Sequence, residues 1–239
     1  MKTNTSDLEY QITALQSLDT CAVANAIEAF GVRLRNEGFT SPALQCFFPQ
    51  LPPMVGCAAT LKVRCSAPPM RNHVYPDRSD WWESVLKVPA PRIIVIEDAD
   101  ASPGTGALIG EVHTHILRAL GCVGAVTNGA VRDLQSIGEM KFPIFAFNRV
   151  VSHAYIHVVE FGKEVTVAGL KIKPGDLLHG DRHGVVNIPE GIASAVPRAA
   201  AEQAKQDASI IHACQPGNFS IERLREAVRH HPQFCKLEI

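Results

Sequence analysis

A chain of 239 residues, 46% apolar and 20% charged, has globular composition with enough apolar material for a sizeable core. A formal net charge of -1, with no run of lysines and arginines, argues against nucleic-acid binding, which needs a basic face to neutralise phosphates. No apolar segment approaches the ~18 residues of a membrane span, and the N-terminal MKTNTSDLEYQ lacks the apolar centre of a signal peptide, so a cytoplasmic protein with no membrane partner is expected.

In chain order, Asp19 is an N-cap for the amphipathic stretch TCAVANAIEAFG, with Ala22, Val23, Ala26, Ile27 and Phe30 on one face and Gly31 as terminator. VGCAATLKVRC reads as a strand, flanked by Cys57 and Cys65 as small core residues. The seven cysteines (Cys21, Cys46, Cys57, Cys65, Cys122, Cys214, Cys235) are odd in number, scattered and never spaced C-x-x-C, against a disulfide framework or a structural zinc site. Trp81 and Trp82 in DRSDWWESVL are pocket-lining or packing residues. RIIVIED, Arg92 to Asp98, is a buried run ending in two acids. A Pro/Gly loop, ASPGTGA, leads into LIGEVHTHILRALG, a helix ending at Gly121. VGAVT then reads as a buried strand, Asn128-Gly129 as a turn, Val131 to Ile137 as a short helix, and PIFAFN as another strand. The alternation from Arg92 to Asn148 is an α/β pattern with parallel pairing.

The second half changes character. Short strands in VSHAYIHVVEFGKEVTVAGLKIKPGDLLHGDRHGVVNIP are broken at Gly-Lys, Ala-Gly, Pro-Gly-Asp and Gly-Asp, a pattern expected of a β-rich lobe with tight turns. From Pro189 the chain turns helical through RAAAEQAKQDASIIHA to SIERLREAVRHH. Length allows one large domain or two small ones, and the absence of a Ser/Gly-rich linker or charge block favours one domain over 1–239, with a core at about 18–189 and C-terminal helices over 190–239.

Three groups of residues carry chemistry. Gly110 and Glu111 open a helix, where partnerless backbone N–H groups and a partial positive charge favour a carboxylate, although a good helix start alone gives the same pattern. Arg132 offers a planar donor fork and Asp133 a hard oxygen ligand for Mg²⁺ or Mn²⁺. Neighbours in a turn point apart, so the two need not neutralise each other; solvent-exposed charges after an Asn-Gly turn are the plainer alternative. Third, His179, Asp181 and His183 share a face if their segment is a strand, a candidate transition-metal site that Gly180 and Gly184 would break by turning. His153 and His157 on one strand face, and His113 and His115 on a helix, read as packing or surface positions. The chain has no G-x-S-x-G, G-x-x-x-x-G-K-[ST], H-E-x-x-H or G-x-G-x-x-G motif.

Taken together, G-E at 110–111, G-x-x-x-N-G-A-V-R-D at 124–133 and P-G-D-x-x-x-G-D-x-x-G-V at 174–185 resemble the RraA-like family, which includes 4-hydroxy-4-methyl-2-oxoglutarate (HMG) aldolases and a regulator of ribonuclease activity. The resemblance spans roughly Leu18 to Pro189. It implies an α/β fold, a layered α/β/β/α sandwich of the swivelling β/β/α type, assembled as a homotrimer or hexamer. It further implies a class II, metal-dependent pyruvate aldolase or oxaloacetate decarboxylase. On this resemblance Asp133 holds Mg²⁺ (or Mn²⁺), and Arg132 contacts the keto oxygen and carboxylate of a 2-oxo acid substrate. Gly110, Glu111 and Val112 give backbone N–H groups to that carboxylate, while the Glu111 side chain holds a water on the metal. A further acid comes from a neighbouring subunit's C-terminal region, with Glu202 and Asp207 as candidates. The chain departs from the pattern at Asn128, where the family often has Asp; a lost charge there bears on metal affinity and substrate choice.

Such chemistry is consistent with the residues themselves. Cleaving a C–C bond β to a ketone leaves an enolate, whose charge a divalent cation and a fixed guanidinium both stabilise. No lysine need form a Schiff base, with Lys141 and Lys163 as the remaining alternatives. A non-catalytic protein-binding regulator of a ribonuclease is the second reading, and a hydrolase or lyase built on His179/Asp181/His183 the third.

Overall fold

The computed structural model describes residues 5–70, 79–229 and 231. Helix α1 (Thr5–Gln16) and α2 (Thr20–Glu28) precede a short strand β1 (Gln45–Cys46) and the long β2 (Met54–Arg64); α3 (Ser79–Leu86), β3 (Arg92–Asp98), β4 (Ala107–Ile109) and α4 (Glu111–Ala119) follow. Next come β5 (Cys122–Thr127), β6 (Ala130–Val131), α5 (Leu134–Glu139), β7 (Ile144–Ala146) and β8 (Asn148–Arg149). The second half holds β9 (His157–Phe161), β10 (Val165–Val167), β11 (Leu170–Ile172), β12 (Leu177–Asp181), β13 (Gly184–Ile188), α6 (Val196–Ala213) and α7 (Ile221–Val228).

The fold is mixed α/β. Strands β2, β3, β5 and β7 run parallel, as their continuous apolar runs and intervening helices require, because both faces of such strands are covered. β1 closes one edge antiparallel to β7. β2 is too long for one partner on its other side: β12 pairs with it at Met54–Cys57 and β9 at Leu61–Arg64. Between them, Gly175 N–H donates to Ala58 O and Gly162 N–H to Thr60 O, which keeps the central backbone satisfied. The glycine-punctuated second half is therefore no separate β lobe: β9, β12 and β13 are strands of the main sheet, and only β10–β11 forms a hairpin apart.

Side-chain alternation along β2 splits the core. Ala59, Leu61 and Val63 face α3, α4 and α5 with Ile94, Ile96 and Leu117, while Ala58 faces the β10–β11 hairpin with Ile93, Val95 and Ile172. A third cluster packs α1, α2 and α6 on Val55, Leu177, Val186 and Ile188. Asp19 caps α2 by accepting from Ala22 N–H at 2.8 Å. Val23, Ala26 and Ile27 are buried as the helical spacing predicts, whereas Phe30, one residue past the C-cap Ala29, is exposed.

Two boundaries shift where periodicity is too short to read. Leu108 and Ile109 belong to β4, so the helix starts at Glu111; Val131 belongs to β6, so α5 starts at Leu134. These short strands form a second parallel sheet, β4-β6-β8, with Ala107 opposite Ala130 and Ile109 opposite Val131. No helix among the described residues is long and apolar enough to cross a membrane.

Candidate functional site

The Ile109–Val131 register sets the candidate site. Two neighbouring parallel strands end side by side, so Gly110-Glu111 after β4 and Arg132-Asp133 after β6 emerge together. Arg132 N–H donates to Ile109 O at 3.0 Å and extends the ladder by one rung. Asp133 is formally the N-cap of α5, yet its backbone is left-handed (φ 56, ψ 40) and its side chain makes no bond to α5. That uncommon conformation, which Asp tolerates better than most residues, turns the carboxylate to the other helix. Glu111 N–H donates to Asp133 Oδ2 at 3.1 Å, so Asp133 caps α4 from outside, where the N-cap Gly110 has no side chain to do so. A Cβ on Gly110 would lie 2.6 Å from Asp133 Oδ2 and 3.0 Å from Arg132 Cγ; glycine makes the close approach possible.

Arg132 and Asp133 do not point apart. Arg132 Nε donates to Asp133 Oδ1 at 3.2 Å, both side chains about a third exposed. The Glu111 N–H first, then the Arg132 guanidinium and the nearby His153, hold the Asp133 carboxyl below its ordinary value. Asp133 is therefore an anion at neutral pH, with one donor on each oxygen. Thr114 Oγ1 donates to Gly110 O at 2.8 Å and stiffens the helix start. Glu111 and Val112 are exposed on the first turn. Asn128 is not a free turn residue: its Oδ1 accepts from Asp98 N–H at 2.7 Å and its Nδ2 donates to Asp98 O at 3.0 Å, tying the ends of β3 and β5 together.

The histidine triplet does not converge on one point, although His183 Nδ1 lies 3.1 Å from Asp181 Oδ1. His179 is fully buried, its Nδ1 3.0 Å from Thr20 Oγ1 and its Nε2 3.1 Å from the carbonyls of both Leu15 and Leu18. Burial lowers its pKa, so it is a neutral core residue fastening α1 and α2 to β12. Gly180-Asp181 lies within β12, and the chain turns at Arg182-His183, so His183 is no longer on the strand that carries His179 and Asp181. Asp181 accepts from Thr20 N–H and from His183 N–H, which with its other hydrogen bonds keeps its carboxyl ionised despite burial. His153 lies outside β9, so it and His157 do not share a strand face. Trp81 is buried against the α3 side of the sheet with Trp82 packed alongside, ring centroids 5.8 Å apart. Glu202 pairs with Lys205, and Asp207 Oδ1 lies 2.7 Å from Nε2 of His231.

One polar cluster was missed in the sequence. Cys65, Asp98 and Asp100 place one ligand atom each within 4.8 Å of one another. Asp98 accepts from Gly104 and Asp100 N–H, and Asp100 from Cys65 and Ser66 N–H, while burial pushes the Cys65 thiol up to about 12. The acids spend these oxygens on backbone N–H groups and so fasten the loop after β3. The acid pair closing RIIVIED was its only sequence signal.

Fold and site together define a mixed α/β protein whose parallel strand ends deliver an arginine–aspartate pair to a helix N-terminus. The RraA-like family model (Aldolase/RraA) matches residues 20–187, and the chain belongs to this family, which includes HMG aldolases and RraA regulators. It is 27% identical over 142 residues to a Halalkalibacterium halodurans protein named "Putative 4-hydroxy-4-methyl-2-oxoglutarate aldolase", covering 59% of this chain and 67% of that one. It is 30% identical over 105 residues to the protein DlpA of Legionella pneumophila, covering 43% of this chain and 17% of the other. Two crystal structures share the fold. An uncharacterized protein from Pseudomonas syringae superposes with a TM-score of 0.70 at 24% identity, covering 91% of this chain and 93% of the other. RraAS2 of Streptomyces coelicolor, described as an unusual member of the RNase ES inhibitor RraA family, gives 0.66 at 19% identity, covering 83% and 94%.

Proposed function

We propose that this protein is a divalent-metal-dependent lyase that cleaves 4-hydroxy-2-oxo acids, of the HMG-aldolase type, or decarboxylates oxaloacetate through a pyruvate enolate. The observation that carries the reading is the ionised Asp133 carboxylate held against Arg132 at the start of α4. The donor set fits Mg²⁺ or Mn²⁺: a carboxylate has about four lone-pair sites, Asp133 spends one per oxygen on Glu111 and Arg132, and Mg²⁺ commonly takes one or two carboxylates and keeps its waters. Bound there, the cation supplies Lewis acidity at the 2-keto oxygen.

The chain's own groups do the rest. Arg132 spends Nε on Asp133 and keeps its two terminal nitrogens for the keto oxygen and carboxylate of the substrate, a charge-assisted contact that strengthens as the enolate forms. Because Asp133 takes the Glu111 N–H, the carboxylate is left to the Gly110 and Val112 N–H groups and the positive end of α4. In aldol cleavage the C4 hydroxyl loses its proton, the C3–C4 bond breaks and its electron pair passes to C3, where a proton completes pyruvate. Glu111, exposed on the same turn, is the residue we assign to proton movement. Exposed Val112, Val151 and Tyr155 support a trimer or hexamer contact, checked by light scattering.

The test is pyruvate release with added Mg²⁺ or Mn²⁺. EDTA is expected to abolish it, and Asp133→Ala or Arg132→Ala each to cut turnover by roughly 10²–10⁴-fold. Full turnover in EDTA or in either variant would refute the reading. A second reading, a non-catalytic regulator of a ribonuclease, draws on the fact that Arg132 and Asp133 satisfy each other as a helix cap without any ligand. Capture of a ribonuclease by a protein with no lyase turnover would favour it.

A further inference from the structure

A cavity of about 320 Å³ opens beside the Asp133 corner, between α3, α4 and the start of β9. Its wall includes Trp81, Leu108, His113, His153, Ile156 and Val158. Two connections tie it to the corner. His113 stands on the first turn of α4, three residues after Gly110, and therefore about one helical turn (~5 Å) from the carboxylate-binding N-terminus. His153 Nδ1 lies 2.7 Å from the carbonyl of Ala107 in β4, the strand whose end carries Gly110.

The lining has a definite chemistry. Among the described residues its lining has no lysine or arginine, so a second carboxylate entering it would lose hydration without meeting a fixed cation from them. The lining is instead aliphatic Leu108, Ile156 and Val158 with the rings of the largely buried Trp81 and of the histidines, a composition suited to a flat uncharged ring. A carbonyl can only accept, so the 2.7 Å contact fixes a proton on His153 Nδ1; Nε2 has no hydrogen-bond partner among the described residues and, in the neutral ring, accepts from a ligand hydroxyl.

Resting on the lyase reading above, we propose that this cavity is the subsite for the C4 substituent of the substrate, and that the substituent is an uncharged aromatic ring, hydroxylated or plain. Cleavage breaks C3–C4 of an aryl-bearing 4-hydroxy-2-oxo acid, moves the C4 hydroxyl proton away and the electron pair to C3, and releases pyruvate and an aromatic aldehyde. HMG, whose C4 carries a methyl and a carboxylate, is the disfavoured alternative.

The experiment compares 4-hydroxy-4-phenyl-2-oxobutanoate, HMG and oxaloacetate with the full chain and Mg²⁺. Oxaloacetate releases carbon dioxide from C4 and has no substituent to seat, so its decarboxylation reports on the Asp133 corner alone. The aryl substrate is expected to exceed HMG at least tenfold in kcat/KM. Ile156→Trp, and Ala154→Trp at the cavity rim, are expected to cut aryl cleavage at least tenfold while leaving oxaloacetate decarboxylation within twofold, which also shows that they fold. Benzaldehyde, added without metal, is expected to quench tryptophan fluorescence in the parent protein and not in Trp81→Phe. Preference for HMG, or equal loss of both reactions in both filled variants, overturns the subsite. No turnover of any of the three substrates together with saturable benzaldehyde quenching would leave the aromatic cavity standing and overturn the lyase reading instead.

Discussion

Replacing Asn128 by Asp should destabilise this protein in a pH-dependent way. The Asn128 amide faces the buried Asp98 backbone squarely, accepting from its N–H at 2.7 Å and donating to its carbonyl at 3.0 Å. A carboxylate keeps the first contact and loses the second, setting two acceptor oxygens about a hydrogen-bond length apart next to the Asp98 side chain. Loss of one hydrogen bond with a buried acceptor left unpaired costs about 1–3 kcal/mol. For a chain of this size each kcal/mol lowers Tm by about 2–4 °C, so a drop of roughly 2–12 °C at pH 7 is expected. The protonated carboxyl can donate to Asp98 O, so the introduced group's pKa is raised in the folded state. A raised pKa contributes stability below the unfolded value and loses it as pH rises through the folded one. The deficit relative to the parent, measured by thermal melts at matched pH, should therefore be small near pH 4 and full by pH 7. An unchanged Tm at pH 7, or a deficit independent of pH, would refute the reasoning that Asn128 is a backbone clamp rather than a weakened metal ligand.

Other substitutions separate site from scaffold. Gly110→Ala places a methyl 2.6 Å from Asp133 Oδ2 in an extended backbone (φ -147) that any residue adopts, so the charged pair must move. Lyase turnover should fall at least about tenfold with Tm changed by only a few degrees. His179→Ala removes the partner of Thr20 and of two carbonyls, and should cost about 2–4 kcal/mol without altering bound metal, read by denaturant melts and metal analysis. His179 has a pKa lowered by burial from its ordinary 6.5, so the parent should lose stability as pH falls below that value. The depressed carboxyls of Asp100, Asp133 and Asp181 add a further loss as pH falls below the ordinary carboxyl value of 3.8. His179→Ala should flatten the first limb and leave the second; an unchanged first limb would count against a buried neutral imidazole.

The sequence by itself determined the elements whose signal is local. Apolar runs gave β2 as a strand, and β3, β5 and β7 together with their parallel order; Asp19 marked its helix, and the glycine-punctuated second half read correctly as short strands. Three motifs in order were enough to point to the family. Tertiary structure alone decided how these pieces meet. β4 and β6 have three and two residues, too few to show any period, yet their pairing is what sets Glu111 beside Asp133 across 22 positions. The left-handed backbone that aims Asp133 at α4 rather than α5 belongs to a non-glycine residue and leaves no compositional trace. His179 resembled a metal ligand because its alternation with Asp181 is visible along the chain, whereas the carbonyls that bury its ring lie more than 160 positions away. Periodicity reports which face of an element is apolar; which neighbour covers that face is set by contacts distant in sequence, and only the folded chain supplies them.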